Sequence, residues 1–544
     1  MLLLAFVFLL PITMAAQAID GDIEELITNA DGESSLADSL ELAAAQFLYS
    51  AGSDSCSHDD LPLLTKRVRF WTSASWDNSS SLEDLRGTWA RTRLTVYTRD
   101  ILSADLLLVR RAHDPRTIDE LHLSISGVNS SLGIKYVLGT YQIEWGMGVL
   151  SSGSFGAMRS LSVVRSARIK EGRGVIARTT SRESAWLRGV TIEKQVSCLD
   201  LGVFANSRDW NAVNDSGQVS LTGVYSPLNF RSDVRDKVSE SGFGGFVGLR
   251  HSLIHAGVLA QQSNFEPSPT NAPTLNSQSG YFKIGWEGGF AISEIARSAD
   301  NTAWAATLTH GTLQWQGALY SIYAPAGYFA PRSQGPFDFG EELEGTAVVG
   351  AKAGTYVSRH EFAFDLNSSK ESNTVPGDSR NNFALLWHAP FNEVFGLTSR
   401  LRLSERSSES GGRRSLTFRC DPVWGEAINV SARLEYRRFE TNDGSEFGNG
   451  SYIHMQVMKN RGKLRPGVRV AEFNLSELDF PLSVYERNVS GAYPFEQLFG
   501  NGTRLIAWMS YVTKSISIGT KLAWTSSSVS SDDVETAVSM SISR

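Results

Sequence analysis

The sequence is poor in the residues that small disulfide-bonded and metal-binding folds require. It has 3 cysteines, 9 histidines and 16 prolines in 544 residues. Cys56, Cys198 and Cys420 share no short spacing, which excludes a dense disulfide framework and a cysteine zinc site. The formal net charge of -7 lacks the basic excess with which proteins bind phosphate backbones, so nucleic acid is not favoured as a partner.

Catalytic and cofactor motifs are also missing. The chain has no Gly-x-Ser-x-Gly elbow, no Walker phosphate loop and no His-Glu-x-x-His. The acidic loop that holds Asp338, Glu341, Glu342 and Glu344 allows Ca²⁺ binding or plain solvation, and it lacks the spacing of a calcium-binding loop. We therefore predict no metal, no cofactor and no enzymatic activity. A hydrolase made from a His and a Ser on neighbouring strands stays open, because no motif would reveal it.

The residues that are abundant favour strands and turns. The chain has 48 Gly, 13 Trp, 15 Tyr and 27 Phe. From about Arg67 onward polar and apolar residues alternate, as in 93–98, 120–126 and 400–404. Loops rich in Gly, Ser and Asn separate these segments. The pattern predicts an all-β chain that forms a large antiparallel transmembrane β-barrel of about two dozen strands.

A soluble β-sandwich would show the same alternation, with its apolar faces turned to a core. Charged residues favour the barrel, because Arg433, Glu435 and Arg437 lie on the strand face opposite Leu434 and Tyr436, where a wet lumen would accept them. Aromatic residues also cluster at segment ends, where an interfacial girdle would place them. They are Trp71, Trp76, Trp286, Tyr320, Tyr323, Trp508 and Tyr511.

The start of the chain differs from the rest. Residues 1–18 form an apolar run that ends in the small-x-small pattern of a cleaved export signal, with an uncleaved membrane anchor as the alternative. Residues 19–65 are acidic and have helical spacing, so we expect a short periplasmic helical segment there. Residues 66–544 would then form the barrel.

Two blocks resemble a known family. They are LGTYQIEWGMGVLSSGSFG (138–156), which is followed by Trp186–Val190, and VYERNVSGAYPFEQLFGNGTRLIAWMSYV (484–512). Both are similar to the barrel region of the helix-hairpin-helix-containing outer-membrane β-barrel proteins of Gram-negative bacteria. The helix-hairpin-helix repeats of that family are reduced or absent in this chain. The resemblance implies an outer-membrane barrel and no established activity.

A basic, glycine-flanked segment near 145–182 interrupts the alternation. Residues 159–188 include eight basic residues and only two acidic ones. We predict that this segment folds inward as a plug or constriction that favours anions; alternatively, its arginines pair with acidic lumen side chains and only hold it in place. The predicted basic residues of the plug are Arg159, Arg165, Arg168, Lys170, Arg173, Arg178 and Arg182. The predicted turn glycines are Gly146, Gly148, Gly153 and Gly156.

These observations lead to three hypotheses. The first is a non-enzymatic outer-membrane barrel with a pore, transport or envelope-assembly role. Its partners would be outer-membrane lipid, the outer-membrane assembly machinery and an anionic solute in the lumen. The second is a secreted or surface β-rich binding protein, and the third is a barrel hydrolase.

Overall fold

A computed structural model describes most of the chain after residue 66. The described residues are 67–76, 88–98, 102–110, 120–129, 132–151, 172, 174–177, 186–215, 218–221, 238–269, 274–312, 314–333, 345–371, 379–392, 394–408, 411–441, 447–476, 482–485, 495–513, 515–528 and 533–543. The predicted export signal and the predicted helical segment 19–65 lie outside them. No helix long and apolar enough to span a membrane occurs in the described part of the chain.

The regular structure of the described residues consists of β-strands. They are β1 (Arg67–Trp76), β2 (Thr88–Thr98), β3 (Leu102–Arg110), β4 (Glu120–Asn129), β5 (Ile134–Glu144), β6 (Gly174–Ala177), β7 (Leu187–Val196), β8 (Leu199–Trp210), β9 (Ala212–Asp215), β10 (Gln218–Leu221), β11 (Val238–Arg250), β12 (Ile254–Glu266), β13 (Thr274–Trp286), β14 (Gly289–Ser298), β15 (Asn301–Gly311), β16 (Trp315–Ala324), β17 (Thr346–Val357), β18 (His360–Glu371), β19 (Ser379–Pro390), β20 (Phe395–Ser408), β21 (Gly411–Trp424), β22 (Ile428–Thr441), β23 (Phe447–Lys459), β24 (Leu464–Leu475), β25 (Leu482–Tyr485), β26 (Phe495–Leu498), β27 (Asn501–Val512), β28 (Ile516–Ser527) and β29 (Asp533–Ser543).

The strands form one closed antiparallel ring. A single sheet contains 25 strands, and 24 of them follow one another around the ring, while β6 adds only to β5. The first strand closes the ring, because β1 pairs with β2 on one side and with β29 on the other. The pairs β9–β10 and β25–β26 are separate hairpins. The prediction of an antiparallel barrel of about two dozen strands is confirmed.

The two ends of the ring differ in the length of their connections. At one end the strands are joined by tight turns, such as residues 197–198 and 358–359. Strand β29 ends and β1 begins at this short-turn end. At the other end, the long-connection end, the chain runs from β8 to β11 through residues 211–237 and from β16 to β17 through residues 325–345.

The wall has large apolar side chains outside; its inner face is polar on many strands and apolar next to residues 141–151, where it includes Phe246 and Tyr281. Large apolar residues such as Leu319 and Val349 are exposed, whereas neighbours on the opposite face, such as Thr307 and Lys352, are buried. Strand β22 follows the same rule, since Arg433 and Glu435 are buried while Leu434 and Tyr436 are exposed. This arrangement contradicts the soluble alternative, in which the apolar faces would meet in a core.

Exposed aromatic residues lie near both ends of the wall. Near the short-turn end they include Trp286, Trp315 and Trp424, and near the long-connection end Trp304 and Tyr323. The register brings Trp304 opposite Tyr323 on neighbouring strands.

Two aromatic residues that the sequence places in the girdle face inward instead. Tyr320 is buried on the inner face of β16 and donates a hydrogen bond to Asp365. Trp508 pairs in register with Gly467, and its ring fills the space above that glycine. Both residues sit three positions from an outward aromatic residue, Tyr323 or Tyr511, so clustering along the chain did not separate the two faces. The side chains of Trp71 and Trp76 lie outside the described part.

Strand β5 leaves the wall at Gly139. Its pairing with β4 ends at Gly139, and beyond Tyr141 its backbone pairs with β6. Gly139 has a φ of 94°, a left-handed conformation that favours glycine, and a side chain there would overlap the carbonyl oxygen of Leu123. The bend at Gly139 therefore directs the following residues into the ring.

We expect Gly139→Ala to destabilise the protein by about 1–3 kcal/mol, because alanine would be strained at this φ and would press on the β4 backbone. The measurement is the urea midpoint of unfolding in lipid vesicles. Gly280→Ala on β13 is the control, since the nearest atom to a side chain there lies 3.8 Å away. Equal midpoints for the two variants would show that the bend does not need glycine.

Candidate functional site

Residues 141–151 fold into the ring and are buried. Trp145 packs against Phe246 at 5.1 Å and Tyr281 at 5.1 Å between ring centres, so it fits into the inner faces of β11 and β13. Gly146 and Gly148 have φ values of 53° and 86° and form the turn that follows. Residues 145–151 are called the first inward segment below.

The carboxylate of Glu294 on β14 holds the first inward segment. One of its oxygens accepts hydrogen bonds from the backbone N–H groups of Met147 at 2.6 Å and Val149 at 3.1 Å. The other oxygen accepts the hydroxyl of Ser279 at 2.6 Å. A side chain at Gly146 would collide with this carboxylate, so the glycine permits the close approach. One buried side chain thus pairs backbone groups that would otherwise be buried without a partner.

A second segment, residues 325–333 between β16 and β17, also folds inward. The hydroxyl of Tyr328 donates to the carbonyl oxygen of Val149 at 3.0 Å and so joins the two segments. Burial raises the pKa of Tyr328, which keeps the hydroxyl protonated as a donor. Arg332 forms a buried ion pair with Glu240 on β11. We call residues 325–333 the second inward segment.

The ion pair of Glu240 lies in a buried polar cluster. Its carboxylate also accepts Trp210 Nε1 at 2.8 Å and the Ser263 hydroxyl at 2.8 Å. On the next strand the guanidinium of Arg208 lies 3.7 Å from the ring centres of both Trp186 and Trp210. This cation–π packing buries the side chains of Trp186, Arg208 and Trp210.

The opposite side of the interior carries a row of arginines. Eight arginines of β19–β22 point inward, as the strand register and the burial of their neighbours show. On the same strands, the only inward carboxylates among the described residues are Asp421 and Glu435. We name these arginines the arginine wall. They are Arg380, Arg400, Arg402, Arg406, Arg413, Arg419, Arg433 and Arg437.

Several arginines of the wall stand directly opposite one another. The register pairs Arg406 with Arg380 on one side and with Arg413 on the other, and it pairs Arg400 with Arg419. Like charges in such positions destabilise a sheet. The arrangement therefore places several cationic side chains side by side on one side of the interior.

The two inward carboxylates of these strands pair with three arginines of the arginine wall. Asp421 accepts Arg419 at 2.5 Å and Arg433 at 2.7 Å, and Glu435 accepts Arg437 at 2.6 Å. These pairs lie in the middle and towards the short-turn end of the strands. Towards the long-connection end, Arg380, Arg406 and Arg413 border a cavity of about 340 Å³.

The predicted site residues fall partly outside the described part of the chain. Gly146 and Gly148 lie in the first inward segment, as buried turn residues with positive φ. The seven predicted plug residues, Arg159, Arg165, Arg168, Lys170, Arg173, Arg178 and Arg182, lie outside the described residues, as do Gly153, Gly156 and the acidic loop from Asp338 to Glu344. The basic plug therefore stays a prediction.

Sequence reasoning missed Glu294 and Glu240, the buried carboxylates that hold the two inward segments. It also missed the second inward segment and the arginine wall as a unit. One signal for Glu294 was present, since this carboxylate follows Ile292 and precedes Ala296 on one strand face. A charged residue on a face of this kind indicates a specific buried partner. The sequence does not show that this partner lies almost 150 residues earlier.

Comparisons with known proteins find outer-membrane barrels among solved structures. No protein-family model and no curated protein matches the chain. The chain is similar to the ferric-catecholate import receptor of E. coli K12, with a TM-score of 0.37 and 9% identity over 90% of this chain and 82% of that one.

Two further structures are similar at the same low level of identity. A chain of the E. coli P pilus tip assembly intermediate has a TM-score of 0.46 and 9% identity over 90% of this chain and 62% of that one. The anion-selective porin from Comamonas acidovorans has a TM-score of 0.29 and 10% identity over 64% of this chain and all of that one. Because these scores are low, the fold and the function are argued from the strand pairing and side chains of this chain.

We expect Glu294→Ala to release the first inward segment, since two buried N–H groups would lose their acceptor at a cost of about 1–3 kcal/mol each. Hydrogen–deuterium exchange of a peptide that covers residues 145–151 measures the release, and it should become at least tenfold faster. Glu405→Gln, which alters an exposed carboxylate that pairs with Arg414, is the control. Unchanged exchange in Glu294→Ala would show that packing alone holds the segment.

Proposed function

We propose that this protein is an outer-membrane β-barrel through which small anionic solutes pass along the arginine wall. The observation that carries the proposal is the arrangement of side chains on the barrel wall, whose outer face is apolar and whose inner face carries arginines on β19–β22. The two inward segments contact β11, β13 and β14, and we place the passage next to β19–β22. The proposal assigns no catalytic residue.

The outer surface supports a membrane location. A closed ring leaves no unpaired strand edge, which a strand-built membrane protein needs. Between Trp315 and Tyr323 on β16 the strand runs about 27 Å, and a tilt of about 40° reduces this to about 20 Å across the bilayer. That height is close to the apolar band of known membrane barrels, with aromatic residues at both borders.

The contrast between the two ends supports an orientation. Bacterial outer-membrane barrels have short turns on the periplasmic side and long connections on the outer side. We therefore place the short-turn end, with the start of β1 and the end of β29, in the periplasm. The cavity beside Arg380, Arg406 and Arg413 then lies near the outer mouth.

The inner charge supports anion passage. Rings and rows of arginine in a pore favour anions, and a narrow, low-dielectric channel concentrates their field. The arginine wall has six more cations than anions among its inward side chains, although the whole chain has a net charge of -7. The charge of the path is therefore opposite to that of the protein.

The membrane location predicts a large penalty for a charge on the outer wall. Leu319→Arg, in the middle of β16, should destabilise the protein by about 2–4 kcal/mol in vesicles, because the guanidinium would face hydrocarbon. Leu253→Arg, in a turn at the short-turn end, is the control and should cost less than about 1 kcal/mol. The two leucines are 58% and 57% exposed, so equal penalties in urea unfolding would contradict the membrane location.

Anion passage predicts the ion preference of the pore. In planar bilayers with a tenfold KCl gradient, the zero-current potential should indicate preferred chloride flux, and Arg400→Gln with Arg402→Gln should shift it towards cation preference. Arg414→Gln with Arg461→Gln is the control, because both arginines are 70% exposed, Arg414 on the outer face of β21 and Arg461 in the turn after β23. No conductance, or a cation preference of the unaltered protein, would contradict the proposal.

A further inference from the structure

We infer that the wall has a side recess at its outer border, between β4 and β8, which binds the carboxylate of a single-chain fatty acid from the membrane. Two observations carry the inference. The strand pairing breaks on both sides of β5 and β7 at this place, and buried polar atoms without partners lie behind the break. The inference rests on the membrane location proposed above and is independent of anion passage.

Strands β5 and β7 leave the wall together. Gly139 and Gly189 are direct partners in the β5–β7 ladder. The β4–β5 ladder ends at the first of these glycines, and the β7–β8 ladder ends at the second. A side chain at Gly189 would overlap the carbonyl oxygen of Ala205 on β8, just as one at Gly139 would overlap that of Leu123 on β4. The paired glycines therefore bend both strands away from their outer neighbours.

The bend interrupts the outer part of the wall. Below the two glycines the ring is complete. Above them, within the described residues, Glu120–Leu123 of β4 pair only with β3, and residues 207–210 of β8 pair only with β11. In a complete ladder three strand spacings would separate β4 from β8, which is about 14 Å. We call this interval, with β5 and β7 at its floor, the side recess.

Side chains cross the side recess where ladder bonds end. Nη2 of Arg188, on the exposed face of β7, donates to the carbonyl oxygen of Leu121 on β4 at 2.9 Å. On the other side Arg208 of β8 donates to the carbonyl oxygen of Trp186, just before β7. Side-chain bonds of this kind can be exchanged for bonds to a ligand without breaking a strand ladder.

Buried polar side chains lie behind Arg188. The ring of Trp186 lies 5.0 Å from the ring of His122 and 5.3 Å from the guanidinium of Arg188, and Thr140 is the cross-strand partner of Arg188. In the described part of the chain, Nε1 of Trp186, Nδ1 of His122 and Oγ1 of Thr140 have no hydrogen-bond partner. All three side chains are more than nine-tenths buried. Because buried polar atoms are normally paired, these three indicate a ligand.

The chemistry of the floor favours a carboxylate. The guanidinium of Arg188 makes one hydrogen bond within the described residues, and its other N–H groups form the planar fork that matches a carboxylate. The indole N–H of Trp186 and the hydroxyl of Thr140 are further donors. Glu120, the carboxylate at this end of β4, is bonded to Nε2 of His122 at 3.0 Å. Since the floor is buried, a carboxylate fits better than a bulky phosphate headgroup.

The border of the side recess suits an acyl chain. Leu121 and Leu123 on β4 are 54% and 46% exposed, and Leu138 and Val190 are exposed just below. Leu121 lies eight positions from the short-turn end of β4, as far as the two border aromatic residues of β16 lie apart. The side recess is therefore at the outer border of the apolar band. An acyl chain can extend from there into hydrocarbon while its carboxylate meets Arg188.

The test is photolabelling in lipid nanodiscs with a myristate that carries a diazirine close to its carboxylate. We expect label on His122 and Trp186, and excess unlabelled myristate should displace it. Arg188→Gln should lower the label about tenfold, because the carboxylate loses its charged partner. Arg297→Gln, which alters another exposed arginine near the long-connection end, is the matched control and should leave the label unchanged. Heat-dependent gel mobility checks folding, and displacement in the unaltered protein tests the site without any variant.

The outcomes separate the side recess from the proposed function. Label on His122 and Trp186 that myristate displaces supports the side recess. Label confined to outward side chains such as Leu319 in an inserted protein, undiminished by excess myristate, would overturn the side recess and leave the proposed function standing. Equal displacement by uncharged tetradecanol would overturn the assignment to a carboxylate. Failure to insert into nanodiscs would contradict the membrane location and the side recess alike.

Discussion

The interior of the ring depends on one buried carboxylate. Glu294 accepts two backbone N–H groups of the first inward segment, and Tyr328 attaches the second inward segment to the same turn. Without this acceptor the turn would bury donors with no partner, which is among the more costly defects in a folded chain. The other contacts of the filled side, such as the packing of Trp145, require the turn to be in this position.

The filled side and the arginine side use charge in different ways. Next to β11, Glu240 and Arg332 form a buried pair, and Glu240 also accepts hydrogen bonds from Trp210 and Ser263, so the charges hold the chain in place. Next to β20, Arg406 stands between two other arginines. Opposed like charges do not by themselves stabilise a sheet, so this second arrangement contrasts with the ion pair of the filled side.

Much of the wall could be predicted from the sequence, because a period of two fixes which residues share a face. The alternation around Leu434 gave the correct faces of β22 and led to the correct strand total. The prediction failed for Tyr320 and Trp508, because it rested on the clustering of aromatic residues along the chain and not on their odd or even position along the strand. The sequence predicted that the chain turns into the lumen after Gly139, but it did not predict the contact with Glu294. A turn motif does not identify the strand on which the turn packs.

The candidate site was harder to predict for a physical reason. A basic excess was sought in one continuous run of residues, whereas the arginine wall collects its charges from four strands through register. Spacing within one strand gives the face, but the alignment of Arg406 with Arg380 and Arg413 depends on how hairpins are paired. The family resemblance offered no correction, because it concerns blocks outside β19–β22.

The contact between Tyr328 and Val149 also bears on the order of assembly. These residues are 179 positions apart, and Glu294 lies 147 positions from Met147. Contacts of such long range form slowly, since a large loop must close before they contribute. If β29 joined β1 first, both segments would have to enter a closed cylinder through its mouth. Docking of the segments while the sheet is still open would avoid this obstacle, and the seam between β1 and β29 would then close last.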